Sequence, residues 1–220
     1  MNIAGFNPNS FVDYPGNIAA VVFTAGCDMR CWYCHNRHIT SSSCPLLDET
    51  EVLDKIRANK ALLDGVVITG GEPTLQADLA EFIKKIRSEG LLVKLDTNGK
   101  HPEVLKPLLD AELIDYVAMD IKTPLKDYDL VTPTVESEEV FRDSIRLIIS
   151  SGVNHEFRTT FFPQLTADDI GEIGKEIEGA RAYFLQRYNN VEGFDFKPHG
   201  DTYFKLAAEK ASRHVRTFVR

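Results

Sequence analysis

Three cysteines within eight residues are the part of this sequence best suited to chemistry. Cys27, Cys31 and Cys34 are separated by three and then two residues, and they follow the apolar run at residues 18–23. A disulfide would leave one thiol over, whereas cysteine thiolates at such close spacing hold iron-sulfur clusters. Three cysteines ligate three of the four irons of a cubane, so the fourth iron keeps an open position where a reaction can take place.

Other uses of these thiols stay open. A structural zinc site needs four ligands, and Cys44 or His35 could supply the fourth, although zinc sites usually show two paired clusters of ligands. Four cysteines in 220 residues do not make a disulfide scaffold. We interpret Cys44, ten residues beyond Cys34, as incidental, with a redox role or a second-cluster ligand as the alternative.

Length and charge limit the class of protein. A chain of 220 residues with 43% hydrophobic content can bury one sizeable core, so we expect a single domain over residues 1–220. A net charge of -8 argues against a phosphate-binding surface, and no nucleic-acid partner is expected. No run of about 18 apolar residues and no signal peptide are evident, so we expect no membrane partner and a cytoplasmic location.

Apolar runs alternate with amphipathic segments after an irregular start. Strands are predicted at residues 18–23, 65–69, 91–95, 116–121, 155–162 and 182–185. Helices are predicted at residues 48–57, 79–89, 102–109, 137–150, 166–177 and 203–214, and one more short strand is predicted at the end. This alternation implies βαβ units and a parallel sheet. A complete eight-unit barrel takes about 250 residues, so the six units before residue 186 predict an α/β fold with a partial (β/α)6 TIM-like barrel.

Polar or glycine-rich strings follow three of the predicted strands, where barrels of this kind carry their functional residues. They are Gly70-Gly71-Glu72-Pro73, Asp96-Thr97-Asn98-Gly99 and Met119-Asp120-Ile121-Lys122. Paired glycines let the backbone approach a ligand closely, although such a pair is also common in plain turns. An aspartate at a strand end often only caps a turn. Arg158, if it faces inward, needs an anion, either a ligand or an acidic side chain.

The cysteine loop resembles the signature of radical S-adenosylmethionine (SAM) enzymes. Its Tyr33-Cys34-His35-Asn36 end is similar to that of the glycyl-radical-enzyme activases. The strings Asp-Tyr-Pro-Gly, Gly-Gly-Glu-Pro-Thr-Leu-Gln and Lys-Leu-Asp-Thr-Asn-Gly most resemble activators of anaerobic ribonucleotide reductase. The resemblance implies a radical SAM core at about residues 12–188, followed by a C-terminal extension at 189–220.

The resemblance also implies cofactors and their contacts. One 4Fe-4S cluster would be ligated by Cys27, Cys31 and Cys34, and these cysteines together with Lys122 would be the catalytic residues. The SAM contacts would come from Tyr33, His35, Gly70, Gly71, Glu72, Asp96, Asn98, Asp120, Lys122 and Arg158. Asp96, Thr97, Met119 and Asp120 match a monovalent-cation site beside the SAM carboxylate, which Lys122 would contact. Where the pyruvate formate-lyase activator has a histidine at the end of the sixth strand, Gln186 or Arg187 would have to substitute.

The activity implied is that of an activase. With an electron from a reductant such as flavodoxin or ferredoxin, the enzyme would cleave SAM and abstract an α-hydrogen from a glycine of a glycyl-radical enzyme. The alternative is a small-molecule radical SAM enzyme similar to 7-carboxy-7-deazaguanine synthase. An electron-transfer or metal-storage module is a further alternative, but it would not need the SAM-type residues after strands two, three and four.

Overall fold

The computed structural model describes residues 1–41, 43–133 and 137–220. The strands of this described part are β1 (Ile3–Ser10), β2 (Ala19–Thr24), β3 (Gly65–Gly70), β4 (Leu92–Thr97), β5 (Tyr116–Asp120), β6 (Asn154–Phe161), β7 (Tyr183–Arg187) and β8 (Thr217–Val219). Its α-helices are α1 (Glu49–Asn59), α2 (Leu79–Ser88), α3 (Pro102–Asp110), α4 (Glu139–Ser151), α5 (Ala167–Glu176) and α6 (Asp201–Ala211). Short 3-10 helices lie at Arg37–Ile39, Pro73–Leu75 and Leu125–Leu130.

The chain forms two compact units, each built from several segments. The first unit comprises Met1–Asp28, Asn36–Thr97 and Glu103–Val117, and the second comprises Met29–His35, Asn98–Pro102 and Ala118–Arg220. The single domain over residues 1–220 stays a prediction. Among the described residues, no helix combines the length and the apolar character needed to cross a bilayer.

The first unit is organised around buried parallel strands. β2 pairs with β3, and β3 with β4, all parallel. Val66, Val67 and Ile68 of β3 are fully buried, as expected for a strand covered on both faces. α2 buries Leu79, Phe82, Ile83 and Ile86, and Gly90 just beyond it has a φ of +81° that favours glycine. The predicted helix with its glycine stop is therefore confirmed.

One prediction for this unit is wrong. The first residues are not irregular, because Ile3–Ser10 forms β1, which runs antiparallel to β2. The stretch around Pro8 is polar and did not indicate a strand, because proline has no backbone N–H to donate to a β-ladder. The pairing register shifts between Asn7 and Ser10, and an edge strand tolerates proline at such an irregularity.

The second unit contains β6, β7 and β8, which pair in parallel in that order. The end of β5 joins β6 through a hydrogen bond from the Ile121 amide to the Arg158 carbonyl, 2.8 Å. α5 begins with the predicted capping box between Thr166 and Asp169. It packs closely on α6, since a Cβ on Gly174 would lie 2.9 Å from Ala211 Cα. The predicted βα alternation and the last short strand are both observed.

Candidate functional site

In the first unit, the backbone that leads into Cys27 is held tightly. The Gly26 amide donates to the Ile39 carbonyl at 2.8 Å, and the Cys27 amide donates to Thr40 at 3.1 Å. The Gly26 carbonyl in turn accepts the Glu72 amide at 2.8 Å. The chain just before the first thiol is therefore fixed by its neighbours.

The double glycine after β3 lies directly against this backbone. A Cβ on Gly71 would lie 1.9 Å from the Gly26 carbonyl oxygen, and one on Gly70 would lie 2.4 Å from the Thr24 nitrogen. Gly70 also has a φ of +118°, which L side chains rarely adopt. Backbone packing thus requires glycine at both positions, and a ligand contact for them stays a prediction.

The Glu72 carboxylate is fully buried and has an internal role. One of its oxygens accepts hydrogen bonds from the Thr74 amide (3.1 Å), the Thr74 hydroxyl (2.6 Å) and the Thr97 hydroxyl (2.8 Å). These bonds compensate the cost of burying a carboxylate and tie the end of β3 to the end of β4. Contact between Glu72 and SAM stays a prediction.

Asp96 is ion-paired within its own strand. The ammonium of Lys94, a residue only 1% exposed, donates to the Asp96 carboxylate. Residues two apart on a strand lie on the same face, so this partner could have been found from the sequence. The monovalent cation predicted at Asp96 stays a prediction, and the sequence pattern did not single out Lys94 as its neighbour.

In the second unit, Cys31 and Cys34 lie on one tight turn. The Cys34 amide donates to the Cys31 carbonyl at 3.2 Å, which places Trp32 and Tyr33 in the middle of the turn. Burial raises the pKa of the Cys31 thiol, and the nearby Lys122 ammonium offsets this only in part. Tyr33 is buried, whereas His35 just beyond the turn is exposed.

Three charged side chains meet at the end of β5. The Arg158 guanidinium donates to the Asp120 carboxylate at 2.8 Å, and the Lys122 ammonium lies 3.5 Å from the same carboxylate. Burial acts to raise the pKa of Asp120, but Arg158 and Lys122 outweigh it and the pKa is lowered. Burial acts to lower the pKa of Lys122, but Asp120 outweighs it and the pKa is raised well above its usual value. Asp120 is thus the acidic partner expected for Arg158.

Two further predicted residues of this unit are buried. The Met119 side chain is fully buried and fills the space beside Gly99, where a Cβ would lie 2.0 Å from the methionine methyl carbon. Asn98 is also buried, and its side-chain oxygen accepts the Lys100 amide at 2.9 Å. Both residues shape the loop after β4, so the sequence strings at the strand ends include packing residues as well as candidate ligands.

The contacts at the end of β7 distinguish Gln186 from Arg187, the two candidates for the last predicted SAM contact. Arg187 pairs with Asp201 at 2.8 Å, and its guanidinium lies 4.6 Å from the centre of the Phe204 ring. Arg187 is therefore engaged with α6. Gln186 is partly exposed and pairs in register with Thr160 of β6, so of the two it is the better candidate.

The donor set fits an iron-sulfur cluster. All four cysteines lie outside any disulfide and are partly exposed, and soft thiolates are the ligands that such clusters use. Among the described residues, no three His, Cys, Asp or Glu side chains already converge as metal ligands. Because the thiols must lose their protons and converge to bind metal, cluster binding is coupled to pH and to the arrangement of the ligands.

Comparison with known proteins identifies the family. Residues 21–177 match the Radical SAM superfamily. A Methanocaldococcus jannaschii protein, provisionally named as a glycyl-radical enzyme activating enzyme, is 35% identical over 199 residues, which are 88% of this chain and 82% of that protein. The pyruvate formate-lyase-activating enzyme of Clostridium pasteurianum is 31% identical over 199 residues, covering 86% of this chain and 77% of the relative.

A solved structure agrees in fold. SuiB of Streptococcus suis bound to S-adenosylmethionine has a TM-score of 0.67 at 15% identity, covering 89% of this chain and 48% of that one. The chain thus spans about half the length of SuiB. The fold class predicted from the sequence is confirmed, as are the 4Fe-4S cluster and SAM, the cofactors of this superfamily. The chain belongs to the radical SAM superfamily, in its group of glycyl-radical-enzyme activating enzymes.

Proposed function

We propose that this enzyme generates the glycyl radical of anaerobic ribonucleotide reductase, using a 4Fe-4S cluster ligated by Cys27, Cys31 and Cys34. The observation that carries the proposal is the arrangement in the second unit. There the Cys31–Cys34 turn carries two free thiols, and the Lys122 ammonium is close enough to act on the Cys31 thiol. Family membership supports the activase chemistry, and the strings that resemble ribonucleotide reductase activators support this choice of partner.

The protein's own side chains would bind SAM and orient it. When bound, the cluster and SAM together supply a 5′-deoxyadenosyl radical by one-electron cleavage of the sulfonium. Lys122 would hold the SAM carboxylate by a charge-assisted hydrogen bond, because Asp120, 3.5 Å from its ammonium, raises its pKa and keeps it protonated. Asp120, itself held by Arg158, would orient Lys122. Tyr33, buried against Phe162, would keep water from the thiols.

The remaining predicted contacts complete the proposed site. Backbone groups of Gly70 and Gly71 with Glu72 would face the SAM amino group, and Asp96 and Asn98 would face its polar end. His35 would line the adenine pocket, and its exposure leaves it accessible for that contact. A reductant such as flavodoxin or ferredoxin would supply the electron.

The test mixes the reconstituted enzyme anaerobically with reductant, SAM and anaerobic ribonucleotide reductase. We expect a carbon-centred doublet by electron paramagnetic resonance, with 5′-deoxyadenosine formed about once per radical. Pyruvate formate-lyase serves as the control partner and should give no doublet. Repeated turnover of 5′-deoxyadenosine tied to a free small molecule, with no radical on either protein, would instead establish the small-molecule alternative.

A further inference from the structure

Backbone hydrogen bonds tie the start of the Cys31–Cys34 turn to residues 131 and 132. Within the second unit the Arg30 amide donates to the Thr132 hydroxyl at 3.0 Å, and the Trp32 amide donates to the Val131 carbonyl at 3.4 Å. The turn lies in a stretch without helix or strand, from Met29 to His35. A short irregular loop loses conformational entropy when it is ordered, so side-chain packing has to contribute to its shape.

The side chain of Trp32, in the middle of this turn, supplies this packing. Its indole ring lies among four aromatic rings that we call the aromatic socket: Phe162, Tyr188, Phe194 and Phe196. The ring centroids lie 5.2 to 6.0 Å from that of Trp32, at tilted or edge-on angles. These are the distances and angles that aromatic pairs prefer.

The aromatic socket brings residues from distant parts of the chain against the turn that carries the two thiols. Phe162 directly follows β6, Tyr188 directly follows β7, and Phe194 and Phe196 lie in the segment between β7 and α6. Tyr33, the other central residue of the turn, also stacks on Phe162, with ring centroids 4.9 Å apart. Both central side chains of the turn are thus anchored by aromatic rings, while the cysteines on either side remain partly exposed.

We propose that Trp32 is a positioning residue for the iron-sulfur cluster. By filling the aromatic socket, its ring holds the Cys31–Cys34 turn in the shape that presents both thiols to the cluster. The segment after β7 therefore contributes to cluster retention. This inference rests on the proposed ligand role of Cys31 and Cys34. Trp32 is not one of the proposed ligands, and it would act only through the turn.

The experiment compares variants of the full chain reconstituted anaerobically. The first readout is the rate of iron release to a chelator, followed by the loss of cluster absorbance. The second is the midpoint potential of the cluster, and the third is the unfolding temperature of the cluster-free chain. Each lost ring pair is worth roughly two- to tenfold in an equilibrium. Trp32→Ala, which loses several, should release iron at least about tenfold faster than the wild type.

The other variants separate packing from general destabilisation. Trp32→Phe should restore most of the retention, and Phe194→Ala should accelerate release by roughly two- to tenfold. Tyr188→Phe keeps the ring and removes a buried hydroxyl that has no hydrogen-bond partner in the described structure, so its release rate should match the wild type. Phe184→Ala removes the ring stacked on Phe218 at 5.0 Å. It should lower the unfolding temperature without changing iron release or the midpoint potential.

Two results would overturn the inference. One is iron release and a midpoint potential in Trp32→Ala equal to those of the wild type. The other is acceleration by Phe184→Ala as large as that by Trp32→Ala, which would mean that loss of stability alone releases the iron. The Cys31→Ala variant distinguishes failure of the positioning role from failure of the proposed ligand role. If Cys31→Ala keeps four irons, the ligand assignment itself fails. If Cys31→Ala loses the irons and Trp32→Ala keeps them as the wild type does, only the positioning role fails.

Discussion

The charged residues at the end of β5 keep the side chain of Lys122 protonated and available to bind an anion. Lys122 shares the Asp120 carboxylate with Arg158, but Arg158 holds it at 2.8 Å and Lys122 lies at 3.5 Å. Arg158 holds one carboxylate oxygen, and the more distant ammonium of Lys122, on the other oxygen, keeps hydrogen-bonding capacity for a ligand. A partly exposed carboxylate with two cationic neighbours also stays ionised, which keeps Lys122 protonated.

Lys122→Ala should therefore weaken SAM binding. A hydrogen bond to a charged group contributes about 1.5–3 kcal/mol, so the dissociation constant should rise by roughly ten- to a hundredfold, with the cluster retained. Equilibrium titration of the reconstituted protein with SAM measures this. The control is Lys126→Ala, whose exposed ammonium pairs with Glu172 at 2.9 Å and should leave SAM affinity unchanged. Equal affinities in the two variants would remove Lys122 from the site.

At the scale of elements, the end of β3 is held by close backbone contact, and the start of β6 is held by a buried imidazole. The turn after β3 packs on the backbone after β2 without room for a side chain at Gly70 or Gly71. At the start of β6, the ring of His155 bridges two backbone groups. Its Nδ1 lies 2.8 Å from the Val153 carbonyl, and its Nε2 accepts the Arg181 amide at 3.2 Å. Both features fix where a strand meets its loop.

Gly71→Ala should destabilise the fold strongly. The new Cβ would lie 1.9 Å from the Gly26 carbonyl oxygen, so the backbone itself must move, and the cost should be at least about 3 kcal/mol. Urea unfolding of the cluster-free chain measures it. At Gly200, the N-cap of α6, an added Cβ meets no atom within 4 Å, so Gly200→Ala should cost about 1 kcal/mol or less, the loss typical of alanine at a helix N-cap. A Gly71→Ala variant as stable as Gly200→Ala would contradict the close packing of Gly71 on the Gly26 carbonyl.

His155 should make stability depend on pH. Burial lowers the pKa of this imidazole below 6.5, so the unfolded chain binds its proton more readily than the folded one. The stabilisation is fully present above a pH of about 6.5 and is lost as the pH falls towards the folded pKa. Urea unfolding at pH 7.5 and 5.5 should show a larger loss for the wild type than for His155→Asn, which cannot titrate. An identical loss in both proteins would exclude His155 as the cause.

At the scale of the whole molecule, the family and the local sequence agree on one redox centre. The chain carries the three-cysteine loop of a radical SAM enzyme, and a fourth cysteine lies ten residues beyond it. A cluster with three protein ligands has none to spare, whereas a cysteine outside the set is replaceable.

Anaerobic reconstitution should therefore give one 4Fe-4S cluster, or about four irons per chain. Cys27→Ala, Cys31→Ala and Cys34→Ala should each abolish it, and Cys44→Ala should leave it intact. Iron and sulfide analysis with electron paramagnetic resonance of the reduced protein measures the content. Four irons surviving the Cys27→Ala exchange, or eight in the wild type, would contradict the three-ligand assignment.

Local patterns made much of this protein predictable. Apolar runs, helix caps and the cysteine spacing depend on neighbours a few residues apart, so they revealed the six βα units, the capping box of Thr166 and the cofactor class. β1 escaped because its polar, proline-containing stretch lacks that pattern. The aromatic socket escaped for another reason. Trp32 and Phe194 are 162 residues apart in the chain, and only tertiary packing brings their rings together, because aromatic contact depends on distance and angle in space rather than on spacing in sequence.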